Sequence, residues 1–192
     1  MSKLRPRRSV LYMPAANERA LEKAKSIASD ALIFDLEDAV SPESKDAARA
    51  NAVAAASSGA YGKREITIRC NGLDTPWGAA DIAAAAKSCA SSIVIPKVGD
   101  AAMIDEVSKH LDAAGAPKEM MIWAMVETPS AIFNARAIAS HPRVAVLVMG
   151  TNDLVKELRA VQVPGRAPVI SHLATALLAA REANKPILDG VY

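Results

Sequence analysis

The 192 residues carry 23 Lys or Arg and 21 Asp or Glu, so a formal net charge of +2 offers no long-range attraction to nucleic acid or to an anionic membrane. A hydrophobic content of 51% is too high for a disordered chain and is sufficient for one well-filled soluble domain over 1–192. No apolar run reaches signal-peptide or transmembrane length, which makes a cytoplasmic protein the expectation.

The chain opens on a basic cluster, Lys3, Arg5, Arg7 and Arg8, readable as a solvated tail or as an attraction for a phosphate-bearing ligand. A first strand is expected at Val10–Met13, then a helix capped by Asn17 and running to about Ser29. After a strand at Ala31–Leu36, Ser41-Pro42-Glu43-Ser44 places a serine cap, a proline at the first helical position and an early acid ahead of the second helix. A strand at Ile66–Asn71 leads into Asn71-Gly72-Leu73-Asp74-Thr75-Pro76-Trp77, a turn rich in breakers with Trp77 as its anchor. Helix Ala79–Ala90, strand Ser92–Lys97, helix Ala101–Ala114 and strand Met121–Glu127 follow. Helix Ser130–Ser140, strand Val144–Met149, helix Ser171–Asn184 and a strand over Pro186–Tyr192 complete the order. Cys70 and Cys89 lack the spacing of a zinc site or a redox pair and are expected to be packing residues.

Short β-branched runs alternating with alanine-rich amphipathic stretches define an α/β protein with βαβ units around a parallel sheet. No GxGxxG follows the first strand, where Met13-Pro14-Ala15-Ala16-Asn17 stands, and no GxxxxGK[ST] occurs, so a nucleotide-binding open sheet loses most of its support. Seven strands with interleaved helices fit either an open doubly wound sheet or a barrel, and with the glycine pattern missing a TIM-type (β/α) barrel is the expectation. Such barrels take about 250 residues. The expectation is therefore a barrel truncated after about seven strands, without the eighth strand, its helix and a C-terminal lid, and with edges that other chains would cover.

Barrel chemistry sits at the C-terminal ends of the strands. The polar residues there are Asp35, Glu37 and Asp38, then Arg69 and Asn71, Lys97, Glu127 with Thr128, and Gly150-Thr151-Asn152-Asp153. Carboxylates, one arginine and one lysine around a single rim outline a metal and oxyanion site, with magnesium, or manganese, as the hard cation that oxygen ligands prefer. Plainer readings stay open. Glu127-Thr128-Pro129-Ser130 also reads as a solvated acid before a helix start, Asp153 as a cap before Leu154, and Asp35, Glu37 and Asp38 as an ion-pair cluster with Arg69. His110, His141 and His172 fall away from the strand ends, which argues against zinc and against a Ser-His-Asp triad.

These residues resemble the citrate lyase β-subunit and malyl-CoA lyase family of metal-dependent, aldolase-like barrels. The resemblance rests on Arg8-Ser9-Val10-Leu11, Asp35-Leu36-Glu37-Asp38-Ala39-Val40, Lys45 with Ala48-Arg49, and the turn from Arg69 to Trp77. Ile95-Pro96-Lys97, Glu127-Thr128, Gly150-Thr151-Asn152-Asp153-Leu154 and Leu188-Asp189-Gly190 continue it. It implies that Glu127 and Asp153 hold magnesium and that Arg69 contacts the reacting acyl oxygen or the substrate carboxylate. It also places Glu37 and Asp38 beside the metal waters and the Asn17 loop along the coenzyme A thioester, with Lys97 a further substrate contact.

The implied reaction is cleavage of malyl-, citramalyl- or citryl-CoA to an acyl-CoA and a 2-oxo acid, in a homo-oligomer, trimer or hexamer. A thioesterase acting on a malyl thioester and a non-catalytic subunit binding coenzyme A thioesters are the alternatives. In the family an aspartate from a neighbouring subunit's C-terminal segment serves the proton-transfer step, and no counterpart to that segment is expected here.

Overall fold

The computed structural model describes residues 5–191. Lys3 of the basic cluster and Tyr192 of the seventh expected strand lie outside the described residues. Two compact units divide the chain: the first runs to Val94 and regains His110–Met120, and the second takes Ile95–Lys109 and the chain from Met121 onward.

The first unit contains β1 (Val10–Pro14), α1 (Glu18–Ala24), β2 (Ala31–Asp35), α2 (Lys45–Ser57), β3 (Glu65–Arg69), α3 (Gly78–Ala86) and most of β4 (Ser92–Ile95). Its strands pair in parallel and in chain order, β1 with β2, β2 with β3, and β3 with β4. Chain order without reversal is what successive βα units of a barrel produce, whereas a doubly wound sheet reverses beside its first strand. All five residues of β2 are buried, as expected for a parallel strand covered on both faces. The register sets Pro14 level with Asp35, and Asp35 level with Arg69, so three chemically distinct residues share one end of the strands.

The division falls inside α4 (Ala101–Ala113). The second unit continues with β5 (Met121–Val126), α5 (Pro129–Phe133), α6 (Ala135–Ser140), β6 (Val144–Met149), α7 (Thr151–Glu157), α8 (Ile170–Glu182) and β7 (Ile187–Leu188). Here β5 pairs with β6 and β6 with β7, again parallel, and α6 packs on α8. Among the described residues no helix is long and apolar enough to cross a membrane.

Several boundaries differ from expectation for identifiable reasons. Helix α1 stops at Ala24 because the Arg64 guanidinium takes its terminal carbonyls, donating from Nη1 to Ala24 O (2.6 Å) and Ile27 O (2.9 Å) and from Nη2 to Lys25 O (2.7 Å). The single helix expected over Ser130–Ser140 breaks at Asn134, whose Nδ2 donates to Gly99 O at 2.8 Å and whose backbone leaves the helical region. Ser41 does precede a helical turn, a 3-10 turn at Pro42–Ser44, but its hydroxyl bonds Ser44 Oγ at 3.2 Å instead of a backbone amide. Thr151–Glu157 forms a helix that the sequence does not announce, and it puts Asp153 inside the first turn, not at a cap. Cys70 is buried as expected, whereas Cys89 is exposed and is no packing residue.

Candidate functional site

In the first unit the site begins with the register of β2 and β3. Asp35 and Arg69 end these strands opposite one another, and the guanidinium donates in a fork, Nε to Asp35 Oδ1 at 2.7 Å and Nη2 to Asp35 Oδ2 at 2.6 Å. Glu37 joins through Oε2, 2.8 Å from Arg69 Nη1, and Asp38 lies at 4.0 Å. The Tyr12 ring centroid is 5.1 Å from the guanidinium carbon, within cation–π range. Burial alone lowers the Arg69 pKa, but the hydrogen bond and charge of Asp35, then the charge of Glu37, outweigh it and raise the value, so the cation is permanent.

Asp35 does more than pair with Arg69. Its Oδ1 accepts from the Glu37 backbone N–H at 2.9 Å and its Oδ2 from that of Ala39 at 3.3 Å, which folds the Leu36–Ala39 segment around the carboxylate. The sequence puts Asp35 on the rim but does not reveal this organising role. Nor does it assign a role to Lys45, which lies beneath the same segment. A signal existed, because Lys45 stands at the first position of α2, where the helix dipole disfavours a cation.

Asn17 caps α1, its Oδ1 accepting from Ala20 N at 3.0 Å, and borders a cleft of ≈ 600 Å³ with Pro14, Ala16, Glu18, Arg19 and Ala39. Its oxygen is committed to the helix.

In the second unit Glu127 follows β5 directly and is 1% exposed. The solvated-acid reading of Glu127 is thereby excluded, although Thr128 does cap α5, accepting from Ala131 N at 3.1 Å, and Pro129 opens it. Glu127 Oε1 accepts the backbone N–H of Lys97 at 2.6 Å. Lys97 holds a left-handed φ of 49°, uncommon for a side-chain-bearing residue, and its side chain is exposed. What Lys97 gives Glu127 is main chain, which a residue list cannot reveal.

Gly150, directly after β6, makes room for the same carboxylate: a Cβ there would overlap it and stand 2.5 Å from the Glu127 Cβ. Asp153 is half-buried in the first turn of α7. Among the described residues no group of three or more His, Cys, Asp or Glu side chains gathers as a metal site. Magnesium does not require one, since one or two carboxylates completed by water and substrate oxygens suffice. Glu127 and Asp153 fit that donor chemistry.

The structure thus assembles Arg69, Glu37 and Asp38 with Asp35 in one unit, and Lys97 and Glu127 with Gly150 in the other, each at the C-terminal ends of parallel strands. Parallel strands in chain order, with acids and an arginine at their C-terminal ends, define an α/β protein built of successive βα units. Residues 8–192 match the HpcH/HpaI aldolase/citrate lyase family, and the chain belongs to that family.

The chain is 48% identical over 187 residues to a (3S)-malyl-CoA thioesterase of Cereibacter sphaeroides, covering 97% of this chain and 64% of the relative. It is 32% identical over 196 residues to the citrate lyase subunit beta of Escherichia coli, covering 99% of this chain and 65% of that one. It therefore spans just under two thirds of the length of these relatives. A crystal structure of CitE from Mycobacterium tuberculosis, in complex with magnesium, acetoacetate and coenzyme A, superposes with a TM-score of 0.81 at 26% identity, over 98% of this chain and 67% of that one.

Proposed function

We propose that this chain processes a malyl-type coenzyme A thioester, with magnesium or manganese held by Glu127 and Asp153. The observation that carries the reading is the buried carboxylate of Glu127, fixed by the Lys97 N–H against a glycine that leaves it space. A bound divalent cation supplies Lewis-acid polarisation of a substrate oxygen and neutralises charge. Arg69, locked by Asp35 and Glu37, is the cation assigned to the negative charge that develops on the acyl oxygen, and its fixed orientation would spare the reaction a reorganisation cost. Asp38, the exposed carboxylate of the cluster, takes a proton from the reacting water or hydroxyl. The Asn17 amide and the Lys97 side chain bind the thioester's polar groups.

Hydrolysis is the first reading, favoured by 48% identity to a thioesterase against 32% to a citrate lyase subunit. Water adds to the thioester carbonyl, the C–S bond breaks, and the thiol leaves with the proton. Carbon–carbon cleavage is the second, favoured by the match to the aldolase/citrate lyase family and the 32% identity to a citrate lyase subunit. There the hydroxyl loses its proton, the bond between the hydroxyl-bearing carbon and the carbon next to the thioester breaks, and the enolate is protonated to acyl-CoA beside a 2-oxo acid. The whole protein is read as a cytoplasmic (β/α)-barrel homo-oligomer, trimer or hexamer.

The test is incubation with (3S)-malyl-CoA, with magnesium and then with EDTA, following free thiol and glyoxylate separately. Magnesium-dependent thiol without glyoxylate establishes hydrolysis, and glyoxylate with acetyl-CoA establishes the lyase. Neither product, with malyl-CoA still bound, overturns both in favour of a binding subunit.

A further inference from the structure

Lys45 begins the buried stripe of α2, which continues through Ala48, Ala52 and Ala56. Two forces oppose a lysine there: the positive end of the helix dipole repels it, and burial to 6% exposure strips its hydration. Desolvation accordingly lowers its pKa, against the pull of Asp35, Asp81, Glu37 and Asp38. The ammonium is nonetheless saturated, donating to Leu36 O at 2.7 Å, Glu37 O at 2.7 Å and Asn71 Oδ1 at 2.8 Å.

The acceptors say what this arrangement is for. Two of them are the main-chain carbonyls of the segment that presents Glu37 and Asp38 to Arg69. The third, Asn71, reinforces the same segment, its Nδ2 donating to Leu36 O at 3.0 Å and to Asp81 Oδ2 at 2.5 Å, while its N–H reaches Asp81 Oδ2 at 3.0 Å. Asp81 Oδ1 is in turn held by Arg49 Nε at 2.6 Å. Five acids, Asp35, Glu37, Asp38, Asp46 and Asp81, are thus set against three cations, Lys45, Arg49 and Arg69, so removing the ammonium deepens the cluster's excess of negative charge.

We propose that Lys45 is a positioning residue: its ammonium fixes the Leu36 and Glu37 carbonyls and thereby sets where Glu37 and Asp38 stand against Arg69. It acts through that segment and touches neither substrate nor reacting atoms. The effect on turnover rests on the function proposed above, whereas the effect on the segment does not.

Backbone amide exchange reads the segment directly, because the Glu37 and Ala39 N–H groups are both held by Asp35. In folded Lys45→Met those two amides should exchange at least about tenfold faster, with Ile33 and Ile68 inside β2 and β3 unchanged. Should the Met variant not fold, Lys45→Arg keeps the charge but its planar fork cannot reach three acceptors from one point, and the same two amides should speed up. Unchanged exchange at Glu37 and Ala39, or a uniform rise through β2 and β3, would overturn the proposal. In the malyl-CoA assay the variant should lose about tenfold or more in kcat with KM within about threefold, the pattern of lost positioning. A parent without turnover defeats the proposed function and leaves the exchange result to decide the role of Lys45.

Discussion

Glu127 separates what a residue's neighbours in sequence can say from what only packing can. Thr128 and Pro129 start a helix, as their chemistry dictates, yet the acid before them is buried and held by a main-chain N–H thirty positions away. The strand-end position of Glu127 was legible in the pattern of strands. The two features that fix it, the left-handed Lys97 and the close approach of Gly150, are tertiary and leave no local signature. Gly150→Ala tests this dependence, since the added methyl must displace the Glu127 side chain or the start of α7, an overpacking cost of about 1–3 kcal/mol. Calorimetric titration with magnesium should show affinity reduced about tenfold or more in Gly150→Ala and in the isosteric Glu127→Gln, while Glu127→Gln keeps the parent's melting temperature within a few degrees. Equal affinity in all three proteins would remove Glu127 from the metal site.

At the scale of elements, strand beginnings were read well because each β-branched run starts abruptly after polar or turn residues, and β6 coincides with its expected span. Helix ends were read less well, since side chains distant in sequence set them: Arg64 truncates α1 and Asn134 divides α5 from α6. Asn17 joins this scale to the site. Its oxygen caps α1, so Asn17→Ala should cost about 1 kcal/mol, visible as a lower melting temperature, whereas Asn17→Asp should retain the cap and the stability. If the amide also binds the thioester, both substitutions should weaken malyl-CoA binding. Weakened binding in Asn17→Ala alone would make the residue a cap whose loss disturbs the cleft, with no ligand contact of its own.

At the scale of the whole molecule, a parallel sheet of βαβ units was legible from the alternation of strands and helices, but pairing in chain order was not, and only the missing GxGxxG pointed away from a doubly wound sheet. The distribution of exposed apolar side chains was not legible, because four of the seven, Phe133, Val161, Val163 and Val191, lie at a helix end or outside regular elements, where no periodicity marks a face. Phe133 (89% exposed), Val161, Val163, Ile170, Leu177, Leu178 (72%) and Val191 are the large exposed hydrophobics among the described residues, and all lie in the second unit. Ile170 and Leu177 line one cleft and Val161, Val163 and Val191 another, and apolar side chains grouped in this way favour association over a dispersed monomer. Light scattering on the purified chain should therefore return a multiple of 20.1 kDa, and the joint substitution Phe133→Ser with Leu178→Glu should shift the mass toward the single chain. Exposed changes in the first unit, such as Lys63→Glu, should leave it unaltered. A mass of one chain at micromolar concentration in the parent would set aside the homo-oligomer and leave those side chains to a different partner.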